Sequence, residues 1–227
     1  MNKYQEVIYG NYPKSNYPRK LVNYLFRYII DTKIYNILDV GCGDRTYVRE
    51  FIKLGFNAKG IDNENLIYNK EKKTILKQKI DFNKDKLPYK NNFFDLIFNK
   101  SVIEHVYNTE YFLSEIYRIL KPGGKVIIFT PSWSHNFKDF YNDPTHVKPF
   151  HRKGLQDALR LSRFENVKVE YFYHLPWLWN HPKRFPLVLL LRLFSRCKWK
   201  NKEENIHRPN IRFAQEVQLL GIAEKGE

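Results

Sequence analysis

Three features of the sequence have side chains suited to holding a nucleoside. Asp39-Val40-Gly41-Cys42-Gly43 sets two glycines beside a carboxylate, Asp62 follows Gly43 by 19 residues, and Asp81-Phe82 joins a third carboxylate to an aromatic ring. Glycines let the backbone turn tightly and approach a ligand closely. A carboxylate in the position of Asp62 can accept both hydroxyls of a ribose. Asp81 can hold an adenine amino group while Phe82 faces the ring. Each feature alone has an ordinary reading: Gly-x-Gly is common, Asp62 can cap a following helix, and Asp81 can cap a turn. Their joint placement sets them apart.

The elements that must position them follow from hydrophobic periodicity. Residues 35–40 read as a buried strand ending at the glycines, and 45–54 as a helix stopped by Gly55. Residues 57–61 form a short strand ending at Asp62, and 75–80 a strand ending at Asp81-Phe82. A strand over 94–98, a helix over 108–120, a turn at Pro122-Gly123-Gly124 and a strand over 125–129 continue the alternation. Strands alternating with helices predict a parallel sheet covered on both faces. Beyond residue 150 come a helix (153–161), a strand (167–173), a basic excursion (175–212) and a last strand (216–223), with an antiparallel direction open for at least one of the last two. Residues 1–33 are expected as an N-terminal arm and helix, and 34–227 as a single domain.

In doubly wound sheets ligands sit at the carboxyl ends of the strands, where all three acidic features fall. A nicotinamide dinucleotide would want Gly-x-Gly-x-x-Gly, but the third place is Thr46, preceded by Asp44, which repels a pyrophosphate, and Arg45. Tyr68 and Lys72 have the spacing of a dehydrogenase Tyr-x-x-x-Lys pair, yet come too soon after the second strand to reach a nicotinamide. A cofactor without pyrophosphate fits better.

Ile37-Leu-Asp-Val-Gly-Cys-Gly43, Gly60-Ile-Asp62, Leu87-Pro-Tyr89, Phe94-Asp-Leu-Ile-Phe98, Val102-Ile-Glu-His-Val106 and Leu120-Lys-Pro-Gly-Gly-Lys-Val-Ile127 together resemble class I S-adenosylmethionine-dependent methyltransferases of the type 11 kind. The resemblance spans residues 35–175 and implies a Rossmann-like, doubly wound α/β fold. Its seven-stranded sheet would be mostly parallel with an antiparallel last strand. It implies S-adenosyl-L-methionine as cofactor. Asp39, Gly41 and Gly43 would lie against the methionine part, Asp62 on the ribose, Asp81 and Phe82 on the adenine, and Asn99 with Ser101 on the sulfonium side. Many members carry a further glycine where this chain has Arg45, so the shape of the loop after Gly43 is an open point.

Methyl transfer to a hydroxyl is helped by a general base, typically by ~10²–10⁴-fold. The segment after the fifth strand, residues 130–152, is aromatic and rich in histidine. Its core, Asn142-Asp-Pro-Thr-His-Val-Lys-Pro-Phe150, is similar to a segment of methyltransferases from bacterial surface-glycan gene clusters. His146 is the candidate base, because imidazole titrates near neutrality, and Asp143 the candidate to orient it. The same pair can simply tie a loop together. Asp143, His146 and His151 could suggest a metal trio, but the spacing matches no known zinc motif, and no metal is expected. His105 is a secondary candidate. Trp133, Phe137, Phe140 and Tyr141 can stack on an acceptor or close a lid.

With 227 residues and 43% hydrophobic content, the chain can bury a sizeable core, and its net charge of +15 favours anionic partners. Two cysteines exclude a disulfide scaffold. No charged-then-apolar leader opens the chain, so a cytoplasmic protein is expected. The longest uncharged apolar run, residues 185–191, is far short of the ~20 residues a spanning helix needs. Residues 185–199 nevertheless read as an amphipathic helix, with Leu187, Leu190, Leu191 and Phe194 on one face and Arg192 and Arg196 on the other. Peripheral contact with an anionic membrane is one reading; a packed helix, a lid or a dimer contact are others. The acceptor is read as a small-molecule or glycan hydroxyl, the glycan lipid-linked in one version. RNA methylation is the alternative, disfavoured because Asn99-Lys100-Ser101-Val102 stands where an Asn/Asp-Pro-Pro-Tyr motif would serve base amines. A degenerate cofactor-binding domain is a further alternative.

Overall fold

The computed structural model describes residues 15–28, 34–63, 80–179, 181–198 and 209–227. Six strands form one sheet: β1 (Asn36–Val40), β2 (Asn57–Ile61), β3 (Phe94–Lys100), β4 (Leu120–Pro131), β5 (Phe164–Tyr173) and β6 (Val217–Lys225), in the order β2-β1-β3-β4-β6-β5. β1 is parallel to β2 and β3, and β3 to β4, whereas β6 is antiparallel to both β4 and β5. The expected antiparallel final strand is therefore present, and the sheet has six described strands rather than seven. The strand expected over residues 75–80 lies outside the described residues apart from Ile80, as do Tyr68 and Lys72.

Alternation along the central strands explains the layering. Leu38, Ile97, Val126 and Ile128 face one side, where Phe112, Leu113, Ile116 and Ile119 of one helix and Leu155 and Leu159 of another cover them. Ile37, Leu96, Phe98, Ile127 and Phe129 face the other side, against Leu21, Val22, Leu25 and Phe51. The covering helices are α1 (Tyr17–Tyr28), α2 (Thr46–Lys53), α3 (Thr109–Ile119) and, after the short α4 (Trp133–Asn136), α5 (Arg152–Leu161). Each fully buried Leu, Ile or Phe contributes ~1.5–3 kcal/mol, so α1 is a structural member of this layer. Asn108 starts α3 by accepting the Tyr111 N–H, an arrangement typical of an N-cap.

The Pro122-Gly123-Gly124 segment is not a turn ahead of β4 but a bulge inside it. Leu120 pairs with Phe94 and Lys125 with Leu96, leaving four residues looped out between, with Gly123 at φ 70°. The excursion holds α6 (Pro176–Trp179), α7 (Phe185–Lys198) and α8 (Pro209–Gln215), of which α8 has no clear signal in the sequence. They pack through Leu175, Leu178, Val188 and Ala214. Trp199 and the basic residues 200–208 lie outside the described residues.

The order β2-β1-β3 means that the chain leaves β1 to one side and returns on its other side. That reversal opens a crevice at the carboxyl ends of β1 and β3, where the predicted site residues gather.

Candidate functional site

At the end of β1 the backbone turns through Gly41 (φ 79°) and Gly43 (φ 48°), a left-handed region natural to glycine. The amides of Gly41 and Cys42 both donate to the Ile61 carbonyl (2.8 and 3.0 Å), and the Gly43 amide donates to Asp62 Oδ2 (2.8 Å). Asp62 thus ties the glycine loop to the end of β2. A Cβ on Gly41 would lie 2.1 Å from Val102 Cγ2. Gly41→Ala is therefore expected to lower the melting temperature and weaken cofactor binding together. Gly154→Ala, inside α5 with open space around it, should do neither, as thermal melts and calorimetry will show.

Arg45 answers the open point about the loop. It adopts φ 64° and ψ 23°, the left-handed conformation that a glycine would take there, so the loop keeps its shape at a cost of about 1–2 kcal/mol. Asp44 caps α2, its Oδ1 accepting the Thr46 amide (3.0 Å) and its Oδ2 the Thr46 hydroxyl (2.7 Å). A carboxylate already occupies the helix end that a pyrophosphate would need.

Asp39 is 2% exposed, and its Oδ2 has no partner among the described residues. Burial pushes its pKa well up, and the charges of Asp62 and Asp44 add to the effect. Asn99, opposite Val40 across the β1–β3 pairing, donates from Nδ2 to the Val40 carbonyl (2.9 Å) and leaves Oδ1 buried without a partner. Buried acceptors without donors are costly, and these two flank the crevice beside the glycines. A ligand bringing an ammonium group and hydroxyls to that place would satisfy them.

Asp81 and Phe82 are placed differently from each other. Asp81 Oδ1 accepts the Asn83 amide and side-chain nitrogen (both 3.0 Å), and its Oδ2 lies 3.6 Å from Lys84. The Asn83 bonds hold its pKa below the usual carboxylate range. The ring of Phe82 points into the core, with its centroid 5.5 Å from that of Phe112, rather than facing an open slot.

The candidate acceptor side, expected from the sequence, is the segment after β4. Ser132 bridges to Phe150, and the amides of Val147 and Lys148 donate to the Glu104 carbonyl (2.9 and 3.0 Å), folding the segment back over the end of β3. His146 Nδ1 lies 2.6 Å from the Phe140 carbonyl, an acceptor only, so Nδ1 carries the hydrogen and Nε2 the lone pair. Asp143 Oδ2 sits on that Nε2 side at 3.8 Å, while its Oδ1 accepts from the Thr145 amide and hydroxyl (3.0 and 2.6 Å). The carbonyl of Phe140, not Asp143, fixes the imidazole. Phe140 is buried against His146 and Trp133, whereas Phe137 and Tyr141 are exposed. His151 is exposed and bonded to Ser134, away from His146.

Glu104 was not singled out in the sequence, where it looks like any acid at the start of a helical turn. It is fully buried, its Oε2 accepts the Thr130 hydroxyl (2.9 Å), and burial pushes its pKa up to about 7. Lys100, at the end of β3, is lowered by burial to about 8, against partial compensation from Glu104 and Asp39 and further lowering by Arg212. Between pH 8 and 10.5 the folded lysine is neutral while the unfolded one is charged, so the unfolded state binds more protons and stability rises with pH. Lys100→Met lacks that gain. Its melting temperature should exceed the parent's near neutral pH, and the gap should close by about pH 10. On the far side of the site, the hydroxyl of Tyr17 bonds His174 Nδ1, and the Gln218 amide donates to the Ser101 hydroxyl (3.2 Å). His174 is buried beside the Gln218 side chain, so this wall of the crevice is polar.

With this geometry in place, comparison with known proteins is decisive for the family. The family described as "Methyltransferase domain" matches residues 38–128, from the end of β1 through most of β4. The chain belongs to the class I S-adenosylmethionine-dependent methyltransferases. It is similar to norajmaline N-methyltransferase of Rauvolfia serpentina, at 30% identity over 68% of this chain and 59% of that protein. It is also similar to sterol 24-C-methyltransferase of Saccharomyces cerevisiae, at 32% identity over 54% of this chain and 34% of that protein. The chain thus spans between about a third and three fifths of the length of these curated relatives. A crystal structure described as a SAM dependent methyltransferase from Archaeoglobus fulgidus superposes with a TM-score of 0.63 at 22% identity, covering 98% of each chain, which establishes the shared fold. The orphaned oxygens of Asp39 and Asn99, the glycine turn and Asp62 are of a kind to fit the family's cofactor.

Proposed function

We propose that the chain methylates a hydroxyl group of a small-molecule or glycan acceptor, using S-adenosylmethionine. The observation that carries the reading is the His146 imidazole, held at Nδ1 by the Phe140 carbonyl so that its Nε2 lone pair is available beside the carboxyl ends of β3 and β4. When bound, the cofactor supplies a methyl group on a sulfonium. The protein's own work is then positioning and proton removal. Asp39 and Asn99 hold the amino-acid end, Asp62 the ribose, and Asp81, through the oxygen it shares with Lys84, the adenine side. His146 Nε2 takes the acceptor's proton, with Asp143 Oδ2 3.8 Å away on the same side of the ring. Labelled methyl from S-adenosylmethionine, presented with cell extracts, should appear in an ether linkage. Label on nitrogen or carbon would contradict the hydroxyl assignment.

The excursion supports a membrane-proximal acceptor, such as a lipid-linked glycan. Val188 of α7 is buried, and Arg192, one turn on, reaches back to the Tyr173 hydroxyl (3.4 Å). Arg192 therefore faces the domain on the side that Val188 packs, opposite the outward Leu187 and Leu190 as the helical wheel expects, whereas Leu191 turns inward against that packed cluster. Leu189 (51% exposed) and Leu193 (62% exposed) point outward with Leu187 and Leu190, near Lys183 and Arg184. Among the described residues no helix is long and apolar enough to cross a membrane, so this face would lie on the lipid surface. Placing glutamate at both 189 and 193 removes the burial of two roughly half-exposed leucines, about 2–3 kcal/mol together, and adds two negative charges facing an anionic surface. The double variant is expected to stay in the supernatant when the parent pellets with anionic vesicles; equal pelleting would refute the contact.

A further inference from the structure

Glu104, His105 and His146 bring one carboxylate oxygen and two imidazole nitrogens within 4.8 Å of one another. They come from separate segments, the turn Ile103–His105 after β3 and the segment after β4. The Val147 and Lys148 amides, bonded to the Glu104 carbonyl, clamp the two together. Glu104 is fully buried, and its Oε1 has no partner among the described residues. His146 Nδ1 faces the Phe140 carbonyl at 2.6 Å; His105 Nδ1 lies 2.9 Å from the Thr145 hydroxyl, whose own hydrogen goes to Asp143 Oδ1, and 3.2 Å from the Thr145 carbonyl. A carbonyl only accepts, so each Nδ1 donates and each Nε2 keeps its lone pair. Histidines fixed through one nitrogen by a backbone carbonyl, with the other presented, have the orientation of metal ligands.

We propose that Glu104, His105 and His146 bind one divalent transition cation, of the zinc or cobalt class, on the acceptor side of the crevice. Two imidazoles and one carboxylate suit such ions, whereas magnesium and calcium prefer oxygen donors throughout. Asp143 Oδ2, 3.8 Å from His146 Nε2, is within reach as a further ligand. The inference rests on reading this cluster as the acceptor's side of the site and deepens it. An ion there selects an acceptor whose hydroxyl neighbours a second oxygen, as in a vicinal diol or a hydroxy acid, because both oxygens can bind it. In the loaded protein His146 would be a ligand rather than a free base; the ion would acidify the bound hydroxyl and its proton would pass to solvent, so the free-base role of His146 belongs to the unloaded protein.

The test uses the full chain stripped with a chelator and titrated with Co²⁺, followed by visible absorption, with Zn²⁺ as competitor and Mg²⁺ as comparator. One Co²⁺ per chain is expected, displaced by Zn²⁺ and not by Mg²⁺. Binding should weaken at least about tenfold in both Glu104→Gln and His105→Ala, with thermal melts confirming that each variant is folded. Absence of a Co²⁺ absorption band up to millimolar ion, or parent-like binding in both variants, overturns the proposal. Calorimetry with S-adenosylmethionine on the same stripped protein separates the two readings. Cofactor binding without Co²⁺ binding removes the ion and leaves the methyltransferase reading. Variant-sensitive Co²⁺ binding without cofactor binding upholds the ion and removes that reading.

Discussion

Asp62→Ala is expected to weaken S-adenosylmethionine binding by at least about a hundredfold. Hydrogen bonds to a charged group are worth ~1.5–3 kcal/mol each, and in the proposed binding mode the two ribose hydroxyls would make two of them. The substitution also strips the Gly43 amide of its acceptor, loosening the loop that Gly41 and Cys42 anchor to Ile61. Asp62→Asn, which keeps one acceptor oxygen and loses the charge, should fall between parent and alanine variant. Calorimetric titration gives the dissociation constants, and a melt shows whether the fold survives. A loss of less than threefold for the alanine variant would mean that Asp62 serves only the loop.

His146→Ala should cut the methyl-transfer rate by about 10²–10⁴-fold while leaving the dissociation constant of S-adenosylmethionine unchanged. The imidazole belongs to the segment after β4 and not to the glycine loop, so its loss removes chemistry without touching the cofactor's anchors. It also packs against Phe140 and His105, with ring centroids 4.4 and 4.7 Å away. His146→Gln keeps most of that volume and guards against a purely structural loss. Single-turnover rates at saturating cofactor separate the two effects. A variant that transfers methyl as fast as the parent would return His146 to the role of a loop tie.

Some of this architecture could be read from periodicity alone, and some could not. The strands carrying Asp39 and Asn99 were legible because both faces of the sheet are buried there, giving short apolar runs; β2, at the edge, was legible only from its Gly60-Ile-Asp62 end. Asp62 facing the glycine loop follows from adjacent parallel strands ending level, as the Val40–Ile61 pairing shows. The direction of the Phe82 ring was not legible, since it depends on α3 arriving with Phe112 beneath it. Arg192 turning toward the domain was hidden for a similar reason. A helical wheel shows which residues share a face but not which face meets Tyr173. Glu104, and its grouping with His105, became meaningful only once the segment carrying His146 had folded over them, forty residues later in the chain. Sequence spacing cannot register such long-range closure, which is why the trio considered there used His151 instead.

The account's central claim is that the crevice between β1 and β3 takes an adenosine-bearing sulfonium and not a dinucleotide. The most direct measurement is a calorimetric titration of the full chain with S-adenosylmethionine and, separately, with NAD. Saturable one-to-one binding of S-adenosylmethionine in the micromolar range, with no heat from NAD at the same concentrations, is the predicted result. Tighter binding of NAD, or no binding of S-adenosylmethionine up to millimolar concentration, would contradict it.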